Sequence, residues 1–152
     1  MKKRKRIIIA ILIIIWAVAV FYFSNQEAGT SSGFSFKFTS IFIKNEELVE
    51  NIEPYIRKVA HYVEYIIGGV LFGLLFLTYE WNDKKVILSS ILLGIWYAAL
   101  DEIHQIMVPG RAGRIVDVYI DTLGIATGVV LILIMTKINK NKKRKMWFYV
   151  KF

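Results

Sequence analysis

Titratable side chains between residues 57 and 121 fall at helical spacing, so that the members of each set share one helix face. His61 and Glu64 stand three residues apart, and so do Asp101 and His104. Either histidine could act as a general base that a neighbouring carboxylate orients. If the chain is an enzyme, its predicted catalytic residues are His61, Asp101, Glu102 and His104.

The same residue types could also hold a divalent metal ion. Their spacing matches no established motif such as H-E-x-x-H, so we assign no metal ligand and name no cofactor. The chain has no cysteine, which excludes disulfides, thiolate metal sites and cysteine nucleophiles. It also has no Walker loop, no G-x-S-x-G and no Rossmann fingerprint.

Basic and amide side chains accompany these residues and could hold an anionic head group or a phosphate. The predicted ligand-binding residues are Asn25, Gln26, Arg57, Lys58, Glu64, Gln105, Arg111, Arg114, Asp117 and Asp121. Structural explanations stay open beside this one. The His61–Glu64 pair could be a structural hydrogen bond, Glu102 could face head-group water, and Asp117 and Asp121 could cap a helix or pair with arginines.

Four apolar runs are long enough to cross a hydrocarbon core, which takes about 20 helical residues. They cover residues 7–23, 60–78, 86–106 and 115–136. The first run continues past a signal-peptide-like Ala17-Val18-Ala19, so we expect it to remain as a span. With hydrophobic residues at 56%, the sequence predicts an all-α integral membrane four-helix bundle in the lipid bilayer.

The charge distribution predicts that both termini are cytoplasmic. Basic residues cluster in the N-terminal segment 1–6 and in the tail 137–152, and this orientation places 14 of the 20 Lys and Arg residues inside. Nucleic-acid binding is not indicated, because each basic cluster adjoins an apolar run. The polar residues then lie near the outer ends of the spans and predict a shared, outward-facing cavity.

Local patterns add detail to the outer segment 24–58 and to the helix contacts. Apolar residues at 48, 49, 52, 55 and 56 predict a short amphipathic helix, and Pro54 is expected in the first turn of the second span. Phe34, Phe36 and Phe38 alternate with polar residues, as in a strand or an interfacial anchor. Gly124-x-x-x-Gly128 is a close-packing signal. The aromatic residues 147–149 suit either an unstructured tail or an interfacial contact.

These motifs together resemble the VanZ-like family over residues 7–136. The resemblance lies in Ser24-Asn25-Gln26, in Arg57-Lys58-x-x-His61-x-x-Glu64-Tyr65, in Asp101-Glu102-Ile103-His104-Gln105, in Pro109-Gly110-Arg111, and in Asp117, Asp121, Gly124 and Gly128. It implies a multi-pass protein of the bacterial plasma membrane. The family is named for a glycopeptide-antibiotic accessory protein linked to teicoplanin resistance.

Three functions stay open on this basis. The first is an envelope or resistance factor that binds an anionic lipid or cell-wall precursor without turnover. The second is an integral-membrane hydrolase or transferase that acts on a lipid-linked phosphate. The third is a transporter or flippase, which four spans could form only as an oligomer.

Overall fold

The computed structural model describes residues 2–25, 46–109 and 113–150. Within these ranges the chain is helical, without strands, as the apolar runs predicted. In chain order the four helices are α1 (Lys2–Ser24), α2 (Glu46–Leu77), α3 (Asp83–Ile106) and α4 (Ile115–Val150). The alternating phenylalanines at 34–38 lie outside the described residues.

Each helix contains a segment long and apolar enough to cross a membrane. These segments are Lys2–Ser24, Tyr55–Leu77, Asp83–Ile106 and Ile115–Asn141. Their outward faces are apolar as well: Ile14 on α1 is 62% exposed and Leu88 on α3 is 60% exposed. Soluble proteins rarely expose continuous apolar surface on this scale, so the bundle suits a lipid bilayer.

Helix α2 is longer than the sequence predicted, because the expected amphipathic helix and the second span form one helix from Glu46. Pro54 therefore lies in the interior of α2, and its expected place in the first turn of the second span is wrong. The apolar period continues through this region, and Val49, which precedes the proline, is fully buried. Packing before Pro54 thus offsets the one hydrogen bond that proline cannot make.

Helix α4 also continues past its apolar segment, to Val150, so the tail does not leave the helix at residue 137. The reason is local. The residues after 136 include many lysines, which favour helix, and no glycine or proline interrupts them.

An aromatic cluster around Trp16 fastens α1 to α2 and α3. The Trp16 ring lies 5.6 Å from that of Tyr65 and 5.0 Å from that of Tyr97, between ring centres. Its indole Nε1 donates to the backbone oxygen of Glu64 at 2.9 Å, and the Tyr97 hydroxyl donates to the Ala17 carbonyl at 2.6 Å. These contacts fix the rotation of α1 about its axis.

Helices α2 and α4 make the most extensive contact in the bundle. A Cβ atom at Gly124 would lie 2.6 Å from the Tyr62 carbonyl oxygen, and one at Gly128 would collide with the Ile66 carbonyl. This confirms the close packing that the glycine spacing predicted. The partner is α2 of the same chain, so this face is not available for contact between subunits.

The two ends of the bundle differ in chemistry. At the basic end, the turn between α2 and α3 is closed by α1: Arg6 donates to the Thr78 carbonyl at 2.9 Å, and Lys2 pairs with Glu80 at 2.6 Å. The hydrogen bond and charge of Lys2 lower the pKa of the exposed Glu80 below its usual range. At the other end, here called the polar end, α1 and α3 finish, α4 begins, and α2 carries residues 57–65.

Candidate functional site

Three titratable residues from three helices meet at the polar end. His61 of α2, Asp101 of α3 and Asp121 of α4 each contribute one nitrogen or oxygen atom, and these atoms lie within 4.8 Å of one another. His61 Nδ1 is 3.9 Å from Asp121 Oδ1. Asp101 is 2% exposed and Asp121 is fully buried, whereas the His61 side chain is 24% exposed. We call these residues the His–Asp–Asp cluster; it is reached from the surface along His61.

The carboxylate of Asp101 is held in place by two neighbours. Ser24 Oγ, at the end of α1, donates to Asp101 Oδ2 at 2.8 Å, and Gln105 Nε2 donates to the same oxygen at 2.9 Å. Gln105 lies one turn after Asp101 on the same face of α3, as its spacing predicted. Among the described residues, Asp101 Oδ1 has no hydrogen-bond partner. The two hydrogen bonds to Oδ2 therefore fix the orientation of the Asp101 carboxylate.

Further carboxylates surround the cluster. Glu64, Glu102 and Asp117 lie close enough for their charges to act on Asp121. Glu64 and Asp117 are half-buried, and the structure brings both near the cluster. The centre of the polar end is therefore strongly acidic.

Glu102 is buried, but its hydrogen bond with Arg114 is to the start of α4 and not to the cluster. Its Oε2 accepts the backbone N–H of Arg114 at 2.6 Å, where α4 begins. A carboxylate at a helix N-terminus also interacts favourably with the helix dipole. The structure thus gives Glu102 a role in positioning the start of α4 against the end of α3.

His104 makes its contacts with α1. Its Nε2 lies 3.3 Å from the Asn25 side-chain oxygen, and its ring stacks on Phe21 with centres 4.0 Å apart. Asn25 and His104 are therefore brought together as a pair beside the cluster. Of the two histidines, only His61 belongs to the cluster.

The basic residues flank the cluster on its outer side. Arg57 and Lys58 are half-buried and lie about one turn before His61 on α2, nearer the tip of the polar end. Arg114 is exposed at the start of α4. Gln26 and Arg111, which are also predicted ligand-binding residues, lie outside the described residues.

Ser24 is a site residue that the sequence-based selection of ligands missed. It is 1% exposed and bonds directly to Asp101. Its position as the first polar residue after the apolar run of α1 was the available signal. Tyr65 belongs to one of the motifs of the family resemblance but is not among the predicted site residues. It is fully buried, and its hydroxyl has no hydrogen-bond partner within the described part of the chain.

This arrangement supports two kinds of chemistry. An imidazole beside two carboxylates can accept a proton and be held in a fixed orientation by them. The same three groups can act as ligands of a cation, because imidazole nitrogen and carboxylate oxygen are both common metal ligands. No local sequence motif encodes such a set, since its members come from three different helices.

Comparison with known proteins gives the family. No curated protein sequence matches the chain, and no solved structure matches it. The family model described as VanZ/LLP1 matches residues 9–136, which include every described member of the site. The chain, a protein of four potentially membrane-spanning helices, therefore belongs to the VanZ/LLP1 family.

Proposed function

We propose that the chain is a protein of the bacterial plasma membrane whose polar end faces outward and binds the anionic head group of a lipid-linked envelope molecule. One observation carries this proposal. All four helices contribute polar side chains to one end of a bundle whose sides are apolar. A ligand with a lipid tail can lie along those sides while its head group enters the polar end.

Three basic residues of the polar end support an anionic head group. Arg57 and Lys58 lie between the tip and His61, and Arg114 is exposed beside the start of α4. These three cations lie near the buried carboxylates and could pair with a phosphate. Charge-assisted hydrogen bonds from arginine to phosphate are about twice as strong as neutral ones.

The distribution of Lys and Arg in the sequence supports the outward orientation of the polar end. A role in glycopeptide resistance, suggested by the protein for which the family is named, belongs to the same proposal. It is checked by the teicoplanin susceptibility of a deletion strain.

The binding proposal is tested with a lipid pair that differs only in charge. Purified protein in phosphatidylcholine nanodiscs is titrated with a polyprenyl phosphate, with the matching polyprenol and with inorganic phosphate, and binding is read by native mass spectrometry. We expect the polyprenyl phosphate to bind at least about tenfold more tightly than either other probe, or ~1.4 kcal/mol. The double variant Arg57→Gln/Lys58→Gln should lose this preference.

Lys84→Gln/Lys85→Gln is the matched control, because it removes two cations at the basic end of the same bundle. It should bind as the unaltered protein does. Equal binding of polyprenol and polyprenyl phosphate contradicts the proposal, and so does an equal loss in both double variants.

A second candidate function is catalysis on a lipid-linked phosphate, by hydrolysis or transfer. The observation that favours it is the proximity of the partly exposed His61 to Asp101 and Asp121, which suits a general base. Radiolabelled polyprenyl phosphates incubated with the protein in nanodiscs separate the two functions. An enzyme forms a product that Asp101→Asn abolishes, whereas a binding protein forms none.

A further inference from the structure

The His–Asp–Asp cluster has the dimensions of a metal site. Two ligands of one ion, each about 2.1 Å from it, can be separated by no more than about 4.2 Å. The 3.9 Å between His61 Nδ1 and Asp121 Oδ1 fits this limit and is too long for a hydrogen bond. The whole set lies within 4.8 Å, so at most a small side-chain movement would bring all three atoms onto one ion.

The surroundings of Asp101 are those of a preformed ligand. Metal-binding carboxylates are usually held by hydrogen bonds from neighbouring groups, which fix their orientation. Ser24 and Gln105 both donate to Asp101 Oδ2 and leave Oδ1 without a hydrogen-bond partner among the described residues.

Asp121 supplies the second, independent observation. Its side chain is completely buried, and neither carboxylate oxygen accepts a hydrogen bond from any residue that the structure describes. Its own negative charge and those of Asp101 and the surrounding carboxylates also repel one another at this position. A buried carboxylate in such a place calls for a proton or a cation.

We propose that His61, Asp101 and Asp121 bind one divalent transition-metal ion of the Zn²⁺ or Mn²⁺ type. The imidazole nitrogen favours such ions over Mg²⁺ and Ca²⁺, which prefer oxygen ligands alone. Three protein ligands leave a coordination position open, on the side where His61 reaches the surface. A phosphate oxygen of the anionic ligand could occupy that position; this last step alone rests on the proposed function.

The test uses the metal alone, without any lipid ligand. The full chain in detergent is stripped with a chelator and dialysed against Zn²⁺ or Mn²⁺. Bound metal is measured by elemental mass spectrometry and affinity by calorimetry. We expect one ion per chain, with affinity at least 100-fold lower in His61→Gln and in Asp121→Asn. Ser24→Ala keeps all three ligands but loosens Asp101, and should weaken binding about 10- to 100-fold.

Two matched variants control for nonspecific effects. His104→Gln removes the other of the two histidines, and Asp83→Asn removes a carboxylate that pairs with Lys137 at the basic end. Both should bind metal as the unaltered protein does. The proposal is overturned if the unaltered chain binds no ion, as expected if a protonated His61 balances the charge instead. It is also overturned if the control variants lose as much affinity as His61→Gln.

A spectroscopic measurement on the unaltered chain keeps the proposal testable even if the ligand variants do not fold. Bound Mn²⁺ should show hyperfine coupling to one imidazole nitrogen in electron paramagnetic resonance, and its absence would exclude His61 as a ligand. The polyprenyl phosphate titration is separate from this test. If the chain binds the lipid but no metal, the metal site is wrong and the proposed function stands. If it binds metal but shows no preference for the polyprenyl phosphate, the proposed function is wrong and the metal site stands.

Discussion

At the scale of single residues, Asp101 of α3 connects the end of α1 to the His–Asp–Asp cluster. Ser24 and Gln105 bond to one of its oxygens, and its carboxylate lies in the cluster with His61 and Asp121. In a low-dielectric setting a carboxylate needs such partners, because an unpaired buried charge is costly. The hydroxyl of Ser24 therefore contributes both to stability and to the geometry of the site.

The contribution of Ser24 to stability can be measured by removing its hydroxyl. Ser24→Ala should destabilise the protein by about 1–2 kcal/mol, because the bond to Asp101 involves a buried charge. The measurement is reversible unfolding in SDS, followed by circular dichroism. Ser90→Ala is the matched control, since the Ser90 hydroxyl is equally buried but has no hydrogen-bond partner in the described part of the chain. A cost as large for Ser90→Ala would contradict our assignment.

At the scale of the helices, the close approach of α2 and α4 sets the position of Asp121 relative to His61. Glycines at 124 and 128 let backbone meet backbone, and the Tyr62 hydroxyl lies 2.8 Å from the Thr127 hydroxyl across the same interface. Each element has a defined part in the site. Helix α1 supplies the hydrogen bond that orients Asp101, and α2, α3 and α4 supply one cluster residue each.

The packing of α4 on α2 predicts that a glycine-to-alanine change will lower stability, the opposite of its usual effect in a helix. In an open helix Gly→Ala stabilises by about 0.5–1 kcal/mol. At Gly128 the new methyl group would meet the Ile66 carbonyl and the Val70 backbone nitrogen, which cannot rotate away. We expect Gly128→Ala to destabilise by about 1–3 kcal/mol in SDS unfolding.

Leu131→Ala is the control on the same helix, because Leu131 is 45% exposed on the apolar outer surface. It should cost less than Gly128→Ala. A stabilising effect of Gly128→Ala would show that the two helices are further apart than the structure has them.

At the scale of the whole molecule, the bundle is chemically polarised. Basic residues and their partners close one end, and polar side chains from all four helices, with titratable ones from three of them, occupy the other. The proposed orientation puts the polar end outside the cell and the basic end in the cytoplasm, in line with the charge bias of the sequence.

The orientation can be tested with single cysteines, because the natural chain contains none. Met107→Cys at the polar end and Lys84→Cys at the basic end lie at opposite ends of α3, and both positions are exposed. A membrane-impermeant maleimide should label Met107→Cys in intact cells and Lys84→Cys only after the membrane is opened. The reverse pattern would place the site in the cytoplasm.

Several features of this protein are determined by its sequence alone. The four helices follow from apolar runs of sufficient length, and the glycine spacing on α4 predicts its close contact, because both are local properties. Helical period also put Asp101 and Gln105 on one face of α3. The boundaries were less predictable: Pro54 and the charged residues after 136 did not end their helices, since neighbouring packing and helix propensity outweighed them.

Only the tertiary structure decided which polar residues meet. Both His61 and His104 are predicted site residues by spacing, yet Asn25 and Phe21 contact His104, while His61 joins the cluster. Such choices depend on how each helix is rotated about its axis. That rotation is set by packing between helices that are distant in sequence, such as the contacts of Trp16, and no local period encodes it.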